Sequence, residues 1–368
     1  MRITAYVAKP NANLSLWRFT FNRAQSQLHY RYVNEDDNDD QQGLDFPVGR
    51  VTYTSEIRFT SESAGKRVSC YRVLDDDGDP IMKSSVEVQL KGRGRIFFYV
   101  TTMGEEATNI ASAAALSSDD IVLPRYREPG VLLCTQLPQA IGVDYSLKMD
   151  KRDACVVTFF GDGGRSEGDC HASLNYAAVM EAPMIFICRN NGWAIGTLVQ
   201  EQFRNDGIVV KGQAYGIRSI LVDGNDALAV YSAIRRAREM AITEQRSILV
   251  EVLTYRVGHH STSDDSAKYG ASNEIEYWKM ERSPLNRFRK WVERKGWWND
   301  TADSELRNSV KRQLLQAIQA AEKTEKPPLA ELFTDVYDEP PENLKEQEKL
   351  LRETIGKHQQ DYPSEVPI

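Results

Sequence analysis

The chain has 368 residues, of which 41% are hydrophobic and 27% are charged, and its formal net charge is −7. This length can bury a full α/β core, and the negative charge argues against general nucleic-acid binding, which needs a basic surface. No apolar stretch reaches the roughly 20 residues that a membrane-spanning helix needs. The five cysteines form no C-x-x-C pair, which favours a reducing compartment. The composition is that of an ordinary enzyme, with no membrane or nucleic-acid partner.

The first 33 residues differ from the rest of the chain. They contain Arg2, Lys9, Arg18, Arg23 and Arg31 but no acidic residue. Arginine-rich starts without acidic residues are typical of mitochondrial or plastid transit peptides; the alternative is a disordered basic tail. Residues 34–48 follow as an acidic linker. A folded α/β domain is therefore predicted over 49–325, with a helical tail over 326–368.

Helix and strand patterns alternate through the central part of the chain. Before them, the acidic segment Asp75–Pro80 lacks the ligand spacing of a calcium loop and predicts a β-hairpin turn. Strands separated by helical stretches indicate βαβ units and a parallel sheet. The predicted helices are 105–116, 137–149, 167–181, 226–244, 283–294, 303–323 and 342–358, and the predicted strands are 121–123, 154–160, 184–188, 217–222 and 248–253.

Polar side chains follow two neighbouring predicted strands. Asp162, in Gly161-Asp162-Gly163, closes the first apolar run, and Asn191 closes the next one. In an open α/β sheet, the carboxyl ends of the strands form the edge where ligands bind. The sequence therefore predicts that this carboxylate and this amide lie at that edge.

Oxygen ligands of this kind suit Mg²⁺ or Ca²⁺ carrying a diphosphate. The carbonyl of Trp193 would complete the ligand set of Asp162 and Asn191. Arg189, next to the amide, could form charge-assisted hydrogen bonds to phosphate oxygens. The alternative is ordinary turn chemistry, because Asp-Gly and Asn-Gly follow many strands.

Two further segments carry candidate residues. Tyr126 stands between two arginines, the second of them Arg127, and the group could clamp a phosphate or form a solvated turn. Two adjacent histidines, His259 and His260, follow the last predicted strand, and one of them could act as an acid, a base or a phosphate donor. The serines after them lie in an exposed, acid-flanked loop that a kinase could enter. The alternative for this loop is a polar connection with cap residues.

Taken in order, these motifs resemble the α subunits of the thiamine-diphosphate-dependent decarboxylase component of 2-oxo acid dehydrogenase complexes. The resemblance runs from about Leu44 almost to the C-terminus and is most specific over 104–265. The segment Tyr255–Ser261 favours the branched-chain branch, and the pyruvate branch stays as the alternative. The strings that carry the resemblance include Gly104-Glu105-Glu106, Tyr126-Arg127-Glu128-Pro129-Gly130, Gly161-Asp162-Gly163, Arg189-Asn190-Asn191-Gly192 and Tyr255-Arg256-Val257-Gly258-His259-His260-Ser261.

The resemblance implies a thiamine-diphosphate-binding fold that decarboxylates branched-chain 2-oxo acids oxidatively and transfers the acyl group to lipoyl. It also implies a role for particular residues. Mg²⁺ would be bound by Asp162, Asn191 and the Trp193 carbonyl, and the cofactor would be held by Tyr126, Arg127, Gly161, Gly163, Arg189 and His260. His260, with Arg256 behind it, would also assist acyl transfer. Thr135 and Gln136 would form part of a K⁺ site, and Ser261 would be a regulatory phosphorylation site.

The same resemblance implies partners and a location. A β subunit would supply the glutamate that activates the cofactor, in an α₂β₂ heterotetramer that works with a lipoyl acyltransferase core. A kinase and a phosphatase would act on Ser261. The family's second phosphorylation position falls near residue 271, where this chain has Ala271. The implied compartment is the mitochondrial matrix.

Two junctions depart from the family pattern. Leu133 runs directly into Cys134, where the family has a long segment that contacts the cofactor ring and completes the K⁺ site. Leu90 runs directly into Lys91, where the family has a long helix. These gaps are those of a splice form or an incomplete gene model. They leave a second hypothesis, of an impaired or non-catalytic chain that binds the β subunit.

Overall fold

The computed structural model describes residues 44–46, 49–60, 69–79, 103–123, 136–204, 207–260, 264–322, 328–334, 337–362 and 367. The predicted transit peptide and most of the predicted acidic linker lie outside the described residues, as do the junctions at 90/91 and 133/134. Within the described ranges, no helix is both long enough and apolar enough to cross a membrane.

The described elements follow the predicted alternation. The strands are β1 Leu44–Phe46, β2 Gly49–Val51, β3 Tyr53–Thr54, β4 Cys70–Tyr71, β5 Ile121–Leu123, β6 Val156–Gly161, β7 Ile185–Asn190, β8 Trp193–Ala194, β9 Thr197–Leu198, β10 Arg218–Asp223 and β11 Ile248–Leu253. The helices are α1 Glu106–Ala115, α2 Gln136–Met149, α3 Gly168–Met180, α4 Val199–Gln202, α5 Val209–Tyr215, α6 Ala227–Glu244, α7 Ser272–Met280, α8 Pro284–Arg294, α9 Asp300–Glu322, α10 Glu331–Thr334 and α11 Glu342–Lys357.

A seven-stranded sheet with the order β3-β4-β10-β11-β7-β6-β5 forms the centre of the fold. All of its described pairings are parallel, which confirms the predicted α/β class. Strands β5, β6 and β7 follow one another across the sheet, whereas β10 and β11 run back toward β7. The direction of winding therefore reverses beside β7, and a ligand crevice is expected at the carboxyl ends of the strands there.

Both faces of the sheet are covered, which explains why the strand sequences are almost continuously apolar. Val157 and Phe159 point into one core, which contains residues of α1 and α6. Val156 and Phe160 point into the other, which contains residues of α2 and α3. Successive residues of β6 thus point into opposite cores, as expected for a β-strand, whose side chains alternate between the two faces of the sheet.

The acidic turn at residues 75–79 is present. The Gly78 N–H donates to the Asp75 carbonyl at 3.0 Å, and the Asp79 carbonyl accepts from the Asp75 N–H at 2.8 Å. Strand β4, which precedes the turn, lies inside the sheet between β3 and β10 and is parallel to both. The second strand of the predicted hairpin would fall on residues outside those described.

The chain divides into two compact units. The larger one holds the described residues up to Asn299, and the other holds those from Asp300 onward. The larger unit contains the whole parallel sheet. Helix α9 belongs to the unit of the C-terminal helices, and the predicted boundary after residue 325 stays a prediction.

A buried carboxylate in α2 makes the stability of the fold depend on pH. Asp144 is fully buried, and its Oδ1 accepts a hydrogen bond from the Val156 N–H at 2.9 Å. Burial raises the pKa of Asp144 to about 7, although the Val156 hydrogen bond and Lys148 lower it. Because the folded pKa lies above the ordinary value of 3.8, Asp144 contributes stability that is lost as the pH rises toward about 7.

We therefore expect Asp144→Asn to be more stable relative to the wild type at pH 8 than at pH 5, by an amount on the order of 2 kcal/mol. The asparagine keeps the acceptor for Val156 and has no charge to bury. Urea unfolding of both proteins at the two pH values measures the difference. The same difference in the free energy of unfolding at both pH values would contradict this account of Asp144.

Candidate functional site

The acidic turn after β6 and the amide turn after β7 lie against each other. Gly161 pairs with Arg189 in the parallel register, so both turns leave the sheet at the same edge. A Cβ atom at Gly163 would lie 2.7 Å from the Cβ of Ala194, so only glycine permits this close approach. Asp162 and Asn191 are both buried. The structure thus brings together the carboxylate and the amide that the sequence places at this edge.

A residue that the sequence analysis did not assign to the site links the amide turn to α1. Glu105, fully buried, precedes α1. Its Oε2 accepts a hydrogen bond from Arg189 Nη1 at 2.7 Å, and its Oε1 accepts one from Asn191 Nδ2 at 2.5 Å. Only its position beside Gly104, at a helix start, could have drawn attention to it in the sequence.

Each of the three predicted metal ligands has an oxygen that accepts a hydrogen bond from within the chain. Asn191 Oδ1 accepts from the Trp193 N–H at 3.2 Å, and Asp162 Oδ2 accepts from Gln202 Nε2 at 3.5 Å. The Trp193 carbonyl, the third predicted ligand, accepts a long hydrogen bond of 3.4 Å from Arg256 Nη1. The guanidinium of Arg256 therefore borders the predicted metal position.

Arg256 organises the loop after β11. It is almost fully buried, and its Nη2 donates to the Ile195 carbonyl and to the Tyr269 hydroxyl, both at 2.5 Å. Its Nη1 lies 3.4 Å from Nδ1 of His260. Ile195 has a φ of 57°, a backbone conformation that is unfavourable for a β-branched residue. Arg256 therefore stabilises a strained turn and at the same time places His260.

The far side of this network fixes the backbone of His260. The Tyr269 hydroxyl donates to Asp264 Oδ2 at 2.6 Å, and the same oxygen accepts from the His260 N–H at 2.7 Å. Desolvation and the hydrogen bond to Asp264 raise the pKa of Tyr269 to about 12. Desolvation acts to raise the pKa of Asp264, but the hydrogen bonds from Tyr269 and His260 hold it below its ordinary value.

A second buried carboxylate supports the amide turn from the neighbouring strand. Glu251, in β11, accepts from Asn190 Nδ2 at 2.7 Å and from the N–H groups of Ile208 and Val209 at 2.8 and 2.6 Å. Burial raises its pKa, although these hydrogen bonds lower it. Gly207 lies so close that a Cβ atom there would meet a Glu251 carboxylate oxygen at 2.9 Å. The start of α5 is thereby held to the same edge of the sheet.

Several predicted site residues cannot be placed in this way. Tyr126, Arg127, Thr135 and Ser261 lie outside the described residues. Gln136 begins α2, and its Nε2 donates to the carbonyls of Leu123 and Phe159 at 3.1 and 3.0 Å. Gln136 therefore joins the carboxyl ends of β5 and β6, and its role in a K⁺ site stays a prediction.

The chemistry of the edge fits a divalent cation and a diphosphate. Buried carboxylate and amide oxygens stand beside a buried guanidinium, and hard oxygen ligands are those that Mg²⁺ prefers. In the part of the chain that the structure describes, no cluster of three or more His, Cys, Asp and Glu side chains could hold a metal. A cation here would therefore combine one carboxylate with neutral oxygens and phosphate oxygens.

A comparison with known protein families shows which family the chain belongs to. The sequence model of the family described as "Dehydrogenase E1 component" matches residues 81–139 and 132–330. The chain belongs to this family. The family depends on thiamine diphosphate, so the resemblance drawn from the motifs is confirmed at this level.

Individual relatives narrow the type. The Arabidopsis thaliana protein named 2-oxoisovalerate dehydrogenase subunit alpha 1, mitochondrial, is 57% identical, over 90% of this chain and 84% of its own length. The Bos taurus protein named 2-oxoisovalerate dehydrogenase subunit alpha, mitochondrial, is 34% identical, over 96% of this chain and 90% of its own length. Within its family, the chain is an α subunit of the branched-chain 2-oxo acid dehydrogenase type, an oxidoreductase.

A third relative carries a different name. An Arabidopsis thaliana protein named putative 2-dehydropantoate 2-reductase is 67% identical over 222 residues, which are 60% of this chain and 61% of that protein. This match covers less than two thirds of either chain, whereas the matches to the named α subunits cover most of this chain.

Proposed function

We propose that the chain, together with a β subunit, carries out the thiamine-diphosphate-dependent oxidative decarboxylation of branched-chain 2-oxo acids and transfers the acyl group to lipoyl. The observation that supports the chemistry is the meeting of Asp162, Asn191 and Arg189 at the carboxyl edge of the sheet. The names of the relatives that cover most of the chain support the substrate class.

Each residue at the edge has a proposed task. Asp162, Asn191 and the Trp193 carbonyl would hold Mg²⁺, and Arg189 would bind the diphosphate. Gly163 allows the acidic turn to approach Ala194 of the amide turn, and Gly161 and Gly163 would lie beside the bound cofactor. A 2-oxo acid cannot lose CO₂ without an electron sink, and the bound cofactor supplies that sink. The protein contributes binding, orientation and charge.

His260 and Arg256 would serve the acyl transfer. Arg256 holds the loop after β11 in place through Ile195 and Tyr269 and places the His260 ring. A histidine near a reacting acyl group can hold or release a proton close to neutral pH. Tyr126 and Arg127 are proposed to complete the diphosphate site.

The wider assembly is part of the proposal. It comprises an α₂β₂ heterotetramer, a lipoyl acyltransferase core, a kinase and a phosphatase that act on Ser261, and K⁺ at Thr135 and Gln136. The relatives are named mitochondrial, which supports a mitochondrial location, with residues 1–33 as the transit peptide and the matrix as the compartment.

A substrate panel on the chain co-expressed with its β subunit tests the proposed activity. We expect 3-methyl-2-oxobutanoate to be decarboxylated with a kcat/KM more than about tenfold above that for pyruvate, because one or two extra apolar groups contribute about this much discrimination. Reduction of an artificial electron acceptor provides the assay. Preference for pyruvate would assign the chain to the pyruvate branch instead.

A specific observation also favours an impaired form of this enzyme. The two segments that match the family model overlap over residues 132–139, where the 133/134 junction lies. The match to the Arabidopsis thaliana alpha 1 subunit runs over 399 positions although this chain has 368 residues. Only 90% of the chain, about 331 residues, enters that match, so about 399 − 331 = 68 of its positions are gaps in this chain, which supports an internal deletion.

We expect the deletion to weaken cofactor binding, because the missing segment is the one proposed to contact the cofactor ring. Calorimetric titration of the chain with its β subunit, in the presence of Mg²⁺, should give a thiamine diphosphate Kd at least about tenfold higher than that of a version with the segment restored, a loss of about 1.4 kcal/mol. Equal affinities would contradict the impairment and leave the catalytic proposal intact.

A further inference from the structure

One buried carboxylate connects the residues proposed to hold the metal and the diphosphate. Glu105 accepts hydrogen bonds from both Arg189 and Asn191, one at each of its oxygens. We propose that Glu105 is a positioning residue of the Mg²⁺-diphosphate site, which turns the Asn191 amide oxygen toward the metal position and holds the Arg189 guanidinium in place. This inference rests on the function proposed above and assigns a residue to which the family resemblance gave no role.

The hydrogen bonds of Asn191 explain how Glu105 selects its orientation. A side-chain amide has a donor end and an acceptor end, and a half-turn exchanges them. An ionised carboxylate only accepts, so the NH₂ group must face Glu105. The Asn191 oxygen then faces the opposite way and accepts from the Trp193 N–H at 3.2 Å. Because Mg²⁺ binds oxygen and not an amide NH₂ group, this is the orientation that a metal ligand needs.

The same carboxylate offsets the free-energy cost of burying the Arg189 charge. Arg189 and Glu105 are both almost completely buried, and their side chains are 2.7 Å apart. A buried charge without a partner costs several kcal/mol, and a close, hydrogen-bonded ion pair offsets much of that cost. Glu105 therefore keeps the guanidinium ordered at the edge of the sheet before a diphosphate arrives.

Glu105 is itself held in place because its neighbour Gly104 packs against the chain that follows β11. Gly104 has a φ of 95°, and a Cβ atom there would lie 2.3 Å from the Tyr255 carbonyl oxygen. The Thr254 hydroxyl donates to the Gly104 carbonyl at 2.7 Å. The segment before α1 is thus fixed on the chain leaving β11, next to the end of β7. The position of the carboxylate is therefore determined by backbone contacts rather than by a flexible loop.

The test compares two titrations of the chain complexed with its β subunit. Calorimetry measures the Mg²⁺ concentration for half-maximal thiamine diphosphate binding, and then the thiamine diphosphate Kd at saturating Mg²⁺. For Glu105→Gln we expect the Mg²⁺ requirement to rise about tenfold, since the new amide can no longer accept from both partners. At saturating Mg²⁺ the cofactor Kd should change less than about threefold, because excess metal restores the ligand orientation by mass action.

A conservative variant separates positioning from a general loss of structure. Glu105→Asp keeps an ionised carboxylate, which only accepts, so the NH₂ group of Asn191 must still face it. We expect its Mg²⁺ requirement to rise less than that of Glu105→Gln. It is also expected to fold if Glu105→Gln alone does not, because the buried Arg189 keeps a charged partner. Asp144→Asn, a buried carboxylate change at the opposite edge of the sheet, should leave the Mg²⁺ requirement unchanged.

The outcomes distinguish this inference from the proposed function. If the wild-type complex shows no Mg²⁺-dependent binding of thiamine diphosphate, the proposed function fails. If the wild type binds and Glu105→Gln has the same Mg²⁺ requirement, the role of Glu105 is refuted while the function stands. A Glu105→Asp variant whose Mg²⁺ requirement rises as much as that of folded Glu105→Gln would also refute it.

Discussion

Replacing Asp162 by alanine is expected to abolish the Mg²⁺-dependent binding of thiamine diphosphate at Mg²⁺ concentrations that saturate the wild type. Asp162 is the one carboxylate of the proposed ligand set, so its loss leaves only neutral protein oxygens for a divalent cation. Hard cations of this kind bind through carboxylate oxygens together with phosphate oxygens. The reduction in Mg²⁺ affinity should exceed about 100-fold, which corresponds to about 2.7 kcal/mol.

The measurement is a Mg²⁺ titration of cofactor binding by the complex with the β subunit. Asp169→Ala is the matched control, because Asp169 is an exposed acidic residue a few positions further along the same connection, in the first turn of α3. The control should behave as the wild type does. An Asp162→Ala variant that retains the wild-type Mg²⁺ dependence would show that the acidic turn does not bind the metal.

The parts of this site that could be read from the sequence are those with a local signal. The apolar runs at 154–160 and 184–188 predict β6 and β7, which are buried throughout, and the polar residues that follow such runs are expected at the sheet edge. The juxtaposition of Asp162 and Asn191 follows from chain order and the parallel connection alone. Helices α1, α2, α3 and α6 agree with the prediction to within one or two residues at each end.

Other elements gave no such signal. Helix α5 begins at Val209 with two valines in succession, and β-branched residues favour strands, so local preference pointed away from a helix. Its start is instead fixed by Glu251, which lies 42 positions away in the chain and accepts from the Val209 N–H. Tertiary contact therefore decided this element, and no local pattern could have shown it.

Glu105 shows the same limit at the site. Two adjacent glutamates at a helix start read as ordinary surface residues, and the sequence does not tell which one is buried. The structure buries Glu105 because Arg189, 84 positions away, needs a partner at the end of β7. A buried ion pair is a property of two distant segments. The sequence therefore pointed to the residues proposed to bind the metal and the diphosphate, whereas Glu105, proposed to orient them, came only from the structure.

The carboxyl edge of the sheet depends on a second buried ion pair, and we expect Arg287→Ala to destabilise the fold by about 3–5 kcal/mol. Arg287, on α8, is almost fully buried and donates to Asp223, at the end of β10, at 2.9 Å. It also lies 3.5 Å from Asp226, which caps α6 by accepting from the N–H groups of Leu228 and Ala229. Removing the guanidinium leaves two buried carboxylates close together. Such a loss is a large part of the stability of a typical domain.

Urea unfolding followed by tryptophan fluorescence measures the difference. Arg235→Ala provides the control, because the pair of Arg235 with Glu239 is partly exposed and 3.8 Å long. Its loss should cost less than about 1 kcal/mol. Equal effects of the two substitutions would show that the Arg287 pair contributes no more than a surface ion pair.

The pH dependence provides a sharper test, because the stability deficit of Arg287→Ala should shrink at low pH. Desolvation acts to raise the pKa of Asp223, but Arg287 and Arg72 hold it below its ordinary value in the wild type. A depressed pKa contributes stability at neutral pH that is lost as the pH falls through the folded pKa. Burial raises the pKa of Asp226, and Arg287 is the charge that most lowers it. In Arg287→Ala that charge is gone, so the pKa of Asp226 should rise further, and a raised pKa contributes stability that is lost as the pH rises. The variant should then recover part of its deficit when the pH is lowered from 8 to 5, whereas a simple packing defect would leave the deficit the same at both pH values.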